Sequence, residues 1–233
     1  MAVTIEKERS VLVVFPHPDD EAFGTSGTLS KYVDLGVPVT YACLTLGEMG
    51  RNLGIPPFAT RETLPEIRKK ELQAAANAIG IKDLRMMGFR DKTVEFEDDE
   101  KMVQLISDLI GELDPSLIIS FYPGYSVHPD HEATARAVVR AVRRLPDEKR
   151  PKMYLVAFSN DTEEGLGMPD VEHDVSDMLD RKINTLKAHS SQTAWMMRDL
   201  EPALAAGNAE ALERFAKERF YYYRWHEDFE KFF

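Results

Sequence analysis

The sequence predicts a doubly wound α/β fold, with a mainly parallel sheet and helices on both faces, from three observations. Val11-Leu12-Val13-Val14 and Leu117-Ile118-Ile119-Ser120-Phe121-Tyr122 are continuous apolar runs of the kind that form strands buried on both faces. Between runs of this type, apolar residues recur at helical spacing, as Ile67, Leu72, Ala75, Ala76 and Ile79 do. Two of the runs end in polar clusters rich in His, Pro and Asp, and open α/β sheets place their ligands at the carboxyl ends of strands.

The first strand leads into Phe15-Pro16-His17-Pro18-Asp19-Asp20-Glu21, where two prolines bracket His17 and forbid simple continuation as sheet or helix. Gly24 and Gly27 permit entry into a helix over 28–34, ended by Gly36 and Pro38. The stretch Gly24-Thr25-Ser26-Gly27 lacks Gly-x-Gly-x-x-Gly and follows acidic residues, which disfavours a dinucleotide loop. Strand two is Val39 to Thr45 and runs into a loop carrying Glu48 and Arg51. The irregular stretch 52–60, with Pro56-Pro57-Phe58, reads as a substrate-covering loop.

A helix over 62–79 is capped by Gly80, and a short strand over 83–88 ends in the polar loop Phe89-Arg90-Asp91-Lys92. Acidic residues 95–100 suggest calcium on charge alone, but they precede an amphipathic helix over 102–113 and complement its dipole. The strand 117–122 and a Pro123-Gly124 breaker deliver the second cluster, Val127-His128-Pro129-Asp130-His131-Glu132, ahead of a helix over 133–144. Beyond it the patterns predict strands over 153–159 and 171–174, helices over 176–188 and 203–218, and an aromatic tail, 220–225, read as packing.

The 233 residues suit one domain spanning 1–233, and 43% hydrophobic with 30% charged residues is ordinary for a soluble protein with a sizeable core. Forty acidic against 29 basic side chains, a formal −11, argue against nucleic acid or an anionic membrane as partner and for a small molecule. No run approaches the span of a bilayer, and Glu6-Lys7-Glu8-Arg9 interrupts any signal-peptide stretch, so a cytoplasmic location is expected. The single cysteine, Cys43, agrees with a reducing compartment and reads as a buried strand residue without a function.

His17 and Asp20 are spaced so that both can turn toward one point, as two ligands of a divalent metal must. Catalytic zinc takes three nitrogen or oxygen ligands and keeps a position open. His17, Asp20 and one histidine of the second cluster would complete such a site; His131 is the choice, with His128 beside it. The same set also accepts ferrous iron. Asp19 is left free to act as general base, His128 to donate to an oxyanion, and Asp130 to orient the His128 imidazole. A single His-Pro-Asp is ordinarily just a turn, but two at equivalent strand ends reverse that reading.

The pairing of His17-Pro18-Asp19-Asp20-Glu21 with His128-Pro129-Asp130-His131 resembles the zinc-dependent N-acetylglucosaminyl deacetylases of the PIG-L (LmbE-like) family. The segments 44–52 and 61–72 are similar to the branch of that family in bacillithiol biosynthesis that acts on N-acetylglucosaminyl-malate, in its second type. The resemblance implies a Rossmann-like fold, a zinc hydrolase that removes acetyl from such a conjugate, Asp19 as the base and a homo-oligomer. It also places an arginine matching Arg68 near the substrate, a Glu21 that hydrogen-bonds near the site, and His189 close to the pocket. Glu48, Arg51, Arg68 and Arg90 are the candidate substrate contacts, because arginine matches the two carboxylates of malate. Some mycothiol-pathway relatives have a tyrosine where this chain has Ser126, with Tyr125 one position away. Two alternatives stand beside this reading: deacetylation of another N-acetylglucosamine conjugate or small N-acyl sugar, and a sugar-binding protein that holds a metal without chemistry. A spare base and donor, Asp19 and His128, favour an enzyme.

Overall fold

The structure is a computed structural model that describes residues 5–226. Its main sheet has five strands, all parallel, in the order β3-β2-β1-β4-β5, with β1 Val11–Phe15, β2 Val39–Thr45, β3 Asp83–Phe89, β4 Leu117–Phe121 and β5 Lys152–Val156. The chain moves outward from β1 to β2 and β3, then returns to place β4 on the other side of β1. The strand order therefore reverses between β1 and β4, and a crevice opens there at their carboxyl ends. Both polar clusters follow these two strands.

Every residue of β1 and β4 is buried, because helices cover both faces. Leu12 and Val14 share one core with Met102, Val103 and Ile106 of α4 (Asp99–Leu113) and Val138 and Val142 of α5 (Pro129–Arg143). Val11, Val13 and Phe15 face the other way, against Leu29 and Tyr32 of α2 (Ser26–Asp34) and Leu72, Ala76 and Ile79 of α3 (Leu64–Ile79). Alternation of side chains on a strand divides one apolar run between two cores. A five-residue helix, α1 (Asp20–Gly24), precedes α2.

Several stretches differ from the sequence expectation; one is the fifth strand, which ends at Val156 rather than at 159. The helix after the second cluster begins at Pro129 rather than 133, because Pro takes the first helical position and His128 becomes the N-cap. The expected helix over 203–218 is instead the end of α8 (Ser190–Ala205), then α9 (Ala209–Ala216), then strand β7 (Lys217–Phe220). Gly207, at φ 69°, and Asn208, whose side chain accepts from the Ala211 N–H, separate the two helices. β7 pairs antiparallel with β6 (Val171–Asp174) because Glu218 and Phe220 are buried while Arg219 faces out. The buried Glu218 carboxylate meets Lys182 Nζ at 2.7 Å and the N–H groups of Gly27 and Thr28 at the start of α2. The remaining α-helices are α6 (Thr162–Leu166), absent from the expectation, and α7 (Leu179–Ala188), which follows a 3₁₀ turn over Ser176–Met178 within the expected helix over 176–188.

Candidate active site

The first cluster is fixed to the sheet by its backbone. The Pro16 carbonyl accepts from the Thr45 N–H at 2.9 Å and its hydroxyl at 2.8 Å, and the His17 N–H donates to Asp20 Oδ2 at 2.9 Å. In the second cluster, His128 Nδ1 accepts from the Asp130 N–H at 3.1 Å, and Glu132 reaches back to the N–H groups of Gly124 and Ser126. Asp19 (φ 104°), Lys92 (φ 61°) and Val127 (φ 65°) adopt the left-handed backbone region that side chains disfavour. All three sit in the loops that meet at the crevice, where surrounding bonds hold a costly conformation.

The two clusters converge on one point. His17 Nδ1 lies 3.1 Å from His131 Nε2, which lies 3.3 Å from Asp20 Oδ1; Asp20 Oδ2 is 3.7 Å from His17 Nδ1. Around an ion with bonds of about 2.0–2.1 Å, tetrahedral ligand atoms stand roughly 3.3 Å apart, so this donor set fits zinc or a similar divalent ion. The backs of both imidazoles are occupied as metal ligands require. His131 Nδ1 stands 3.0 Å from the Ser126 carbonyl, which assigns it the proton and leaves the Nε2 lone pair for a metal. His17 Nε2 is 3.1 Å from Asp130 Oδ2 and 3.1 Å from Asp91 Oδ1. His128 joins His17 and His131 in a second possible set, with one ligand atom from each within 4.8 Å of the others.

Asp130 therefore braces His17, not His128 as expected from sequence. Its Oδ2 also accepts from the Lys92 N–H at 2.7 Å and its Oδ1 from the Val94 N–H at 3.1 Å. The Nδ1 of His128 is already taken by a backbone N–H, which leaves the Asp130 carboxylate to the neighbouring loop. Asp91 had not been singled out in the sequence. Its only signal was its position in a polar loop at the end of a strand.

Burial alone would lower the pKa of His17, but the Asp130 and Asp91 hydrogen bonds and the Asp20 charge outweigh it and raise it to about 10. Burial raises Asp19 to about 6, with Arg68 opposing. Asp20 moves the other way: burial pushes it up, yet His131 and His17 hold it below the usual carboxylate range. Burial, and then the positive charges of His17 and His131, lower His128. A neutral His128 whose Nδ1 accepts a hydrogen bond carries its proton on Nε2, available as a donor.

The crevice has a volume of about 220 Å³ and is lined by residues of both clusters, together with Gly50, Arg68, Asp91, Lys92 and Gln192. Of the four expected substrate contacts, Arg68 alone lines it. Its guanidinium is buried, and donates to the carbonyls of Gly47 (2.8 Å) and Pro18 and to Asp19 Oδ2 (2.9 Å). Glu48 Oε1 accepts from the Asp91 N–H at 2.9 Å, while Arg51 and Arg90 are exposed outside the lining. Tyr125 packs edge-on against Tyr122, likewise outside it. The loop 52–60 is tied to α8 by the Leu53 N–H on the Ser191 carbonyl and by Gln192 Nε2 on the Arg51 carbonyl.

A parallel sheet with two loops of imidazoles and carboxylates at its switch point is the architecture of a class of de-N-acetylases. The chain belongs to that class, the PIG-L family: residues 12–142 match the family described as GlcNAc-PI de-N-acetylase, a span that contains both clusters. Within it, the chain is 51% identical to the Bacillus anthracis protein named "Probable N-acetyl-alpha-D-glucosaminyl L-malate deacetylase 2", over 94% of this chain and 97% of that one. The Bacillus cereus protein of the same name is 53% identical over 94% of this chain and 99% of its own. Among solved structures, N,N'-diacetylchitobiose deacetylase from Pyrococcus horikoshii superposes with a TM-score of 0.71 at 25% identity, covering 93% of this chain and 84% of that one.

Proposed function

We propose that the protein hydrolyses the acetamide of N-acetylglucosaminyl-malate, the substrate in the names of its Bacillus relatives, releasing acetate and the free amine. The observation that carries this reading is the convergence of His17, Asp20 and His131 on one point, with a half-buried spare carboxylate, Asp19, and a neutral imidazole, His128, beside it. His17, Asp20 and His131 would hold zinc, with ferrous iron an acceptable substitute. Such an ion would polarise the amide carbonyl and make a neighbouring water more acidic.

The other steps belong to side chains of this protein. Asp19, raised by burial to about 6, takes the proton of the attacking water and later passes it to the departing nitrogen. Arg68 holds the Asp19 carboxylate in place. His128 Nε2–H donates to the carbonyl oxygen as it becomes anionic, and Asp130 and Asp91 fix the tautomer of His17.

No helix among the described residues is long and apolar enough to cross a membrane. The buried, unpaired Cys43 fits a reducing cytoplasm. The homo-oligomer implied by family resemblance is part of the same reading.

The test is amine release from N-acetylglucosaminyl-malate and from plain N-acetylglucosamine, before and after chelation and with metal content measured. Preferential cleavage of the malate conjugate, lost on chelation and restored by zinc, is expected. One zinc per chain without cleavage of either sugar would favour a metal-dependent binding protein instead.

A further inference from the structure

The geometry points to Lys92 as the cation that receives a carboxylate of the substrate's aglycone. The inference rests on the malate conjugate proposed above and assigns its charged end to a residue that the sequence had not singled out.

Two residues with a fixed positive charge line the crevice, Arg68 and Lys92. Arg68 is committed: the residue is 3% exposed and both terminal nitrogens already donate, to two backbone carbonyls and to Asp19. A guanidinium used in this way has no free fork to offer a carboxylate. The lining also carries the carboxylates of Asp19, Asp20 and Asp91, so a substrate bearing two carboxylates gains from a cation at the mouth.

Lys92 meets that requirement. Its backbone is held on both sides by one carboxylate: its own N–H donates to Asp130 Oδ2 at 2.7 Å and the Val94 N–H to Asp130 Oδ1 at 3.1 Å, while the preceding Asp91 carboxylate lies 3.1 Å from His17 Nε2. The left-handed turn at φ 61° fixes where the side chain leaves the loop. Beyond that anchor the residue is exposed, and its ammonium has no hydrogen bond or ion pair among the described residues. A lysine ammonium on a flexible four-carbon stem is a point charge that adapts to either carboxylate of malate. The same loop therefore braces a candidate metal ligand through Asp91 and presents a free cation one residue later. This couples the position of the aglycone to that of the reacting amide.

The experiment compares kcat/KM for N-acetylglucosaminyl-malate with that for its dimethyl ester, which keeps the shape and removes the charge. Wild type is expected to prefer the free acid. Lys92→Met should cut that preference about tenfold, mainly through KM, and Lys92→Glu should cut it further. Lys92→Arg should retain most of it, and added salt should erode the wild-type preference toward that of Lys92→Met. If wild type prefers the free acid and Lys92→Met lowers both substrates equally, the assignment of Lys92 is overturned while the proposed substrate stands. If wild type cleaves the ester as well as the acid, the substrate reading and the Lys92 assignment fall together.

Discussion

His189 Nε2 lies 2.6 Å from Glu21 Oε1, and neither side chain is exposed to solvent. The other Glu21 oxygen accepts from the Asp19 N–H and the Tyr41 hydroxyl, each at 3.1 Å. The corner between α7 and α8 thus reaches the backbone of the proposed base through one buried carboxylate. Burial would lower the pKa of His189, but Glu21 outweighs it and raises it. Removing the imidazole strands a buried charge, which typically costs about 3–5 kcal/mol. His189→Ala should lower the free energy of unfolding by that order in urea titrations. Combining it with Glu21→Gln should give much less than the sum of the two single losses, because the two groups form one unit.

Asp19→Asn keeps an oxygen for Arg68 but removes the proposed proton acceptor. Turnover should fall by roughly 10²–10⁴ while the bound metal per chain, measured by elemental analysis, stays at the wild-type value. Loss of metal in parallel with turnover would instead make Asp19 a ligand.

His128→Ala removes the donor proposed to act as charge develops on the carbonyl oxygen. Its cost should appear in kcat, by about 10²–10³ or roughly 3 kcal/mol, with little change in KM. A rise in KM at constant kcat would contradict that role.

His173 is expected to make stability, rather than chemistry, depend on pH. It is 1% exposed, lies against the rings of Tyr154 and Phe220, and has Nδ1 3.0 Å from the Thr28 hydroxyl. Burial lowers its pKa from 6.5 to about 4. The unfolded chain therefore binds a proton that the folded one refuses, so its contribution is complete above pH 6.5 and is lost progressively as pH falls toward 4. Urea unfolding should show this loss, on the order of 2–3 kcal/mol, and His173→Gln should be less sensitive to pH over that interval.

What was legible in the sequence was what neighbouring residues decide together. Continuous apolar runs with no polar face mark strands covered on both sides, so β1, β2 and β4 stood out with their limits nearly right. The His-Pro-Asp clusters were equally plain, because the proline that ends a strand also leaves imidazoles and carboxylates at its carboxyl end. The family membership follows from those motifs and the chain around them.

Tertiary structure alone decided which distant groups share a proton or a charge. Nothing near Asp91 says that its carboxylate reaches His17, since that contact depends on β3 and β1 being separated by one strand of a parallel sheet. The partners of Glu21 and Glu218 lie 168 residues away at His189 and 36 residues away at Lys182. β7 looked helical because its local pattern is short, and the buried carboxylate that fixes it in a sheet finds its counter-charge only when α2 and α7 are packed. Arg51 and Arg90 had the right chemistry for malate, but loop geometry turned them outside the crevice and left Lys92 at its edge. Periodicity and turn chemistry act over a few residues and can be read along the chain, whereas burial and pairing of charge depend on which surfaces meet in three dimensions.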